Sequence, residues 1–142
     1  MDKYNGVIQR KLALLSEQIL NIRGAFADLT FADFESSWEK RCVAERALQV
    51  AVEIMIDIAE RIIAIEKVGP AATSSEAIER LVKLKTLKSK DPYVEMVRFR
   101  KLIVHQYERV APEILYMLVK ERLDDFQKFI DEIDQFCSLH NS

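Results

Sequence analysis

The segment Cys42 to Ile65 reads CVAERALQVAVEIMIDIAERIIAI, with neither glycine nor proline in it. Its apolar residues recur around most of the circumference of a 3.6-residue helix, and no alternation of period two runs through it. The segment therefore predicts a helix buried on several sides, at the centre of an all-α protein. SSWEK at Ser36–Lys40 supplies a serine cap and an early glutamate, and Gly69-Pro70 supplies a stop, so the central helix is expected from Ser36 or Ser37 through Glu66. Three of its polar residues stand out. Arg46, Glu53 and Asp57 are spaced by seven and then four, which puts them near one face.

Working outward, Ile8, Leu12, Leu15, Ile19, Ile22 and Phe26 step by four and three, the seam of a helix from Val7 to Phe26 packed nearly parallel to a neighbour. Leu29 to Phe34, LTFADF, carries capping residues and bulky aromatics and is expected to turn the chain and plug one end. Thr73-Ser74-Ser75-Glu76 caps a third helix, and Asp91-Pro92 opens a fourth. Ala111-Pro112 interrupts the pattern before a last helix reaching about Leu139, with Leu115, Leu118, Val119, Leu123, Phe126, Ile130, Ile133 and Phe136 on its apolar side. The expected fold is all-α, an up-and-down bundle of about five helices forming a single domain over 1–142.

Composition narrows the function classes. The 142 residues suffice for one core, and 49% hydrophobic with 31% charged residues lies far from disorder. No run approaches about 18 apolar residues and the N-terminus lacks an apolar leader, so no membrane span and a cytoplasmic location are expected. Cys42 and Cys137 have no partner spacing, and Cys137 with His140 is a weak metal signal; free thiols, no metal and no cofactor are expected. The formal charge of −2 hides an asymmetry. Between Arg80 and Lys101 eight cations stand against Asp91 and Glu95, whereas Glu121 to Asp134 is mainly acidic.

The fourth helix contains Arg100 to Tyr107, RKLIVHQY. On a regular helix Arg100 and Tyr107 fall within about 20° of each other and His105 about 140° from Arg100. His105 is then either a hydrogen-bonded histidine within the bundle or a working group. An imidazole titrates near neutrality and can take the proton of a ribose 2′-hydroxyl or return one to the departing 5′-oxygen, while a guanidinium grips the phosphate. In-line attack sets those oxygens on opposite sides of phosphorus, so two proton-transfer groups are preferable. The only other histidine, His140, lies near the chain end, and a two-fold dimer would supply a second His105.

The form R-x4-H-x-Y resembles the motif of the HepT-like ribonuclease toxins of the HEPN superfamily. MVRFRKLIVHQYERV as a whole is similar to that family's fourth helix, and ERALQVAVEIMIDIAERII to its second. The resemblance implies a metal-independent endoribonuclease toxin that cleaves RNA in the cleft of a homodimer. Arg100 would bind phosphate, and His105 would act as general acid or base. It further implies that a paired MntA-like nucleotidyltransferase antitoxin neutralises the toxin by transferring AMP to Tyr107. The other reading of Tyr107 is a phenol hydrogen-bonded to a neighbouring helix. Where the family usually carries a small polar residue, often asparagine, this chain has Lys101, which adds a cation for an RNA phosphate. The alternative is a non-catalytic HEPN protein that serves as partner or substrate of the nucleotidyltransferase, with His105 idle. Arg46, Glu53 and Asp57 are read as a supporting ion-pair network with Arg98 or Arg100 ahead of direct catalysis.

Overall fold

The computed structural model describes Tyr4, residues 6–105 and residues 110–140, with residues 103–105 by their backbone alone. Seven helices form among the described residues: α1 (Val7–Phe26), α2 (Phe31–Ser36), α3 (Trp38–Glu66), α4 (Ser74–Lys83), α5 (Tyr93–His105), α6 (Pro112–Glu121) and α7 (Asp124–His140). None of them is long and apolar enough to cross a membrane.

Local chemistry sets the boundaries. Thr30, Ser37 and Thr73 each accept a hydrogen bond from the backbone N–H three residues on, at 3.2, 3.2 and 3.1 Å, and so cap α2, α3 and α4. At Thr73 the cap is reciprocal in spirit, because the Glu76 carboxylate reaches back to the Ala72 N–H at 2.8 Å. The α3 helix ends in a left-handed Lys67 (φ 56°), and Gly69 follows at φ 83°, a conformation glycine adopts without Cβ strain. Pro112 occupies the first turn of α6, where its missing N–H costs nothing.

The bundle is the expected one with two local subdivisions. The LTFADF connector folds into the short helix α2 once Thr30 caps it. The expected last helix divides at Arg122-Leu123. Neither proline nor glycine breaks it; Asp124 and Asp125 favour the positive end of a new helix, and Arg122 Nε bonds Asp125 Oδ2 at 3.0 Å across the joint. Leu123 and Phe126 stay buried, so the apolar seam passes through the break.

The α3 helix is central. Its buried residues, among them Leu48, Val52, Met55, Ile58, Ile62 and Ile63, point in several directions, and α1, α2, α4, α5 and α6 pack on it. All six seam residues of α1 are buried. Removing any such side chain from water is worth about 1.5 to 3 kcal/mol, which is why the polar stripe of α3 must lie where neighbouring helices leave it open. That opening lies between α1 and α5.

Candidate active site

The stripe is tied to a different helix at each end. Asp57 forms an ion pair with Lys11 of α1. Glu53 faces α5, where its Oε1 lies 3.6 Å from a terminal nitrogen of Arg100. The same Oε1 accepts a hydrogen bond from Gln49 Nε2 at 3.1 Å, one turn earlier on α3. Arg46 is exposed and pairs with none of the described acids. Thus the expected supporting network divides: Glu53 joins Arg100, Asp57 serves the α1–α3 contact, and Arg46 and Arg98 stand outside, both exposed. The reason is geometric. A face shared by residues seven and four apart is about 40° wide, enough to address two flanking helices.

Arg100 is the best-defined member of the motif. Its side chain is 30% exposed, so the guanidinium reaches solvent while its stem lies against the bundle. Its Nε is buried and has no hydrogen-bond partner among the described residues, and 3.6 Å is too long for a strong charge-assisted bond to Glu53. Arg100 therefore keeps donor capacity for an incoming anion. Lys101, next to it, is exposed.

The backbone of α5 extends through His105, and helix register puts position 105 within about 40° of both Lys101 and Arg98. Those two residues are exposed, but the buried Val94 lies within about 20° of position 105 in the same register, so the position falls at the edge between the buried and exposed faces of α5. Tyr107 lies outside the described residues.

The other three tyrosines are committed to structure. Tyr4 and Tyr93 are buried and donate their hydroxyls to Glu66 and Glu132. Burial first, and then the adjoining carboxylate, pushes both phenols above their usual range. Tyr116 donates to the Leu29 carbonyl at 2.8 Å and packs edge-on to Phe31. Toward the chain end, His140 is the last residue of α7; its ring stacks on Phe136 at 4.1 Å and its Nδ1 lies 2.9 Å from the Phe136 carbonyl. Cys137 is buried, and desolvation pushes its thiol up to about 11.

Two participants escaped the sequence reading. Gln49, which steadies Glu53, stands four residues before it and was findable from that spacing. Lys11 carried no such signal, because its pairing with Asp57 joins residues 46 apart.

Comparison with known proteins gives this arrangement its family. The model of the Ribonuclease HepT-like family matches residues 15–133. A tRNA nuclease HepT from Aphanizomenon flos-aquae is 24% identical over 132 residues, 92% of this chain and 89% of the relative. An mRNA nuclease HepT from Shewanella oneidensis is 28% identical over 131 residues, 91% and 97% of the two chains. Among solved structures, a toxin–antitoxin complex with AMP-PNP superposes with a TM-score of 0.83 at 26% identity, covering 92% of this chain and 99% of that one. A tri-AMPylated Shewanella oneidensis HEPN toxin in complex with its MNT antitoxin gives the same score and identity over 92% and 98%. The chain belongs to the HepT-like ribonuclease family, as a ribonuclease toxin of the HepT/MntA kind.

Proposed function

We propose that the protein cleaves RNA without a metal ion, in a cleft built by two copies of Arg100 and His105, and that AMP transfer to Tyr107 by an MntA-like nucleotidyltransferase silences it. The observation that carries this reading is the state of Arg100: partly exposed, held among the described residues to Glu53 by one long contact, and with a buried Nε that finds no acceptor among them. A structural arginine would have its donors satisfied. Arg100 is instead poised to exchange a weak partner for a phosphate, whose oxygens gain charge as the phosphodiester is attacked.

His105 is assigned the proton transfers. The resemblance assigns it that role, and helix register sets position 105 between Arg98 and Lys101, two exposed cations that suit a phosphate beside it. Each protomer contributes one imidazole, so one takes the proton from the 2′-hydroxyl while the other protonates the 5′-oxygen as it leaves; the product ends in a 2′,3′-cyclic phosphate. Two exposed apolar side chains beside the polar stripe, Leu14 at 53% and Val43 at 48%, suit a face on which a second copy packs.

The assignment of AMP to Tyr107 comes from the resemblance to the HepT-like toxins. The hydroxyls of Tyr4, Tyr93 and Tyr116, each donated within the fold, support it. The relative whose structure carries AMP is the model for this step.

The experiment is His105→Ala, assayed with purified protein and RNA in the presence of chelator. Wild type should cleave and leave cyclic-phosphate ends, and the variant should not cleave, with helical signal and oligomeric state unchanged. Cleavage by the variant removes His105 from the chemistry, and strict dependence on a divalent ion overturns the mechanism.

A further inference from the structure

The cations of the chain are unevenly placed. Lys83, Lys85, Lys88, Lys90, Arg98 and Lys101 are all exposed, and none pairs with an acid among the described residues. The other exposed cations without such a partner, Arg10, Lys40, Arg46, Arg61, Lys67 and Lys128, are scattered over three helices and one helix end. Within residues 83–101 only Asp91 and Glu95 offset the charge.

The loop between α4 and α5 holds its lysines outward. Thr86 and Leu87 are buried and donate their N–H groups to the Leu81 carbonyl at 2.9 and 3.3 Å. The Lys88 N–H is fixed on Glu132 Oε1 at 3.1 Å, and Ser89 Oγ bonds the Asp91 carbonyl at 2.8 Å. The backbone is thus anchored from both sides, and Lys85, Lys88 and Lys90 project from an ordered turn that need not be fixed on binding. This turn leads into α5, where helix register sets the exposed Arg98 and Lys101 on either side of position 105, with Arg100 about 160° round the helix from Arg98. From Tyr93 to His105 that helix is about 18 Å long.

We propose that this basic strip, from the α4–α5 loop along α5, anchors the RNA backbone remote from the cut, so that the substrate is a strand engaged over several phosphates beside the scissile one. The proposal rests on the ribonuclease reading above. Two features favour RNA over an acidic protein. Along the strip the one large apolar side chain exposed among the described residues is Leu102, at its far end, so the loop and the first turns of α5 lack the anchor a protein interface needs. The strip also runs to position 105, which is assigned the proton transfers. No aromatic ring is exposed along it, since Tyr93 is buried and Phe99 partly so. Binding there is therefore phosphate contact without base stacking, indifferent to sequence.

The test uses an unstructured 2′-O-methyl RNA oligonucleotide, which binds but lacks the attacking hydroxyl. Its Kd is measured against salt for the wild type, for the triple variant Lys85→Gln, Lys88→Gln, Lys90→Gln, and for Arg10→Gln, Lys40→Gln, Arg61→Gln, which loses the same charge elsewhere. Three phosphate contacts at about 0.7 each should lower the slope of log affinity on log salt by about 2, and weaken binding about 50-fold at 0.15 M salt. On cleavable RNA the loop variant should raise KM with little change in kcat. The control triple should keep the wild-type slope. Equal slopes for all three proteins, or an equal loss in both variants, overturn the strip. Unaltered RNA binding together with loss of AMP transfer by the nucleotidyltransferase overturns it in favour of a protein partner. Because the binding arm needs no cleavage, a wild type that binds RNA but never cuts it counts against the ribonuclease reading and not against the strip.

Discussion

Arg100→Ala separates the two lives of an arginine, as a structural cation and as a phosphate ligand. The structural loss is small. The Glu53 contact is a single 3.6 Å approach between side chains 30% and 37% exposed, the kind of pair worth at most about 1 kcal/mol. Truncation also removes a buried Nε that has no acceptor among the described residues, which returns about 1 kcal/mol. Glu53 keeps its hydrogen bond from Gln49 and stays hydrated. The net change should lie within about 1 kcal/mol, a shift of roughly 2 to 4 °C in Tm for a chain of this size. The catalytic loss is large. Two charge-assisted hydrogen bonds to the transition-state phosphate, at about 1.5 to 3 kcal/mol each, correspond to a fall in kcat/KM of about 10² to 10⁴. Arg100→Lys keeps the charge but not the planar fork and should lose about 10- to 100-fold. Steady-state cleavage of labelled RNA, read beside thermal melts of the same samples, measures both. A Tm lowered by more than about 10 °C with cleavage falling in step would refute the reasoning, as would full activity without the guanidinium.

Tyr107→Phe should cleave RNA like the wild type yet resist inactivation by the nucleotidyltransferase and ATP; AMP found instead on Tyr93 or Tyr116 would show that those hydroxyls leave Glu132 and Leu29, and would defeat the assignment. Alkaline stability gives a test independent of activity. Cys137 holds its proton to about pH 11 when folded and releases it near 9 when unfolded, so the native state binds more protons across that window and loses about 2 to 3 kcal/mol as pH rises through it. The raised phenols of Tyr4 and Tyr93 act in the same direction above about pH 10. Urea titrations from pH 8 to 10 should therefore show falling stability, less steep in Cys137→Ala; parallel slopes for the two proteins would remove the thiol from the account.

Much of this molecule is written locally. The α1 seam, the all-round apolar surface of α3, the Ser37 and Thr73 caps and the stop before Gly69 all follow from neighbours within a turn or two, because helix periodicity and capping are short-range physics. The R-x4-H-x-Y spacing is equally local, and it pointed to the family before any coordinates. Two divisions were less legible. The α2 turn forms because Phe34 is buried against Phe26 and Tyr116, and the α6–α7 break depends on Arg122 and Asp125 in the absence of any proline or glycine.

Only the tertiary structure decided how the charged residues divide their work. Sequence placed Arg46, Glu53 and Asp57 on one face but could not say which helix each meets. That choice depends on α1 and α5 lying on either side of α3, an arrangement fixed by burying apolar faces far apart in the chain. Packing sends Asp57 to Lys11 and Glu53 to Arg100, and leaves Arg46 in solvent. It also ties up three tyrosine hydroxyls and holds the lysines of the α4–α5 loop outward. A charge is read from its letter in the sequence, but its partner is set by long-range packing.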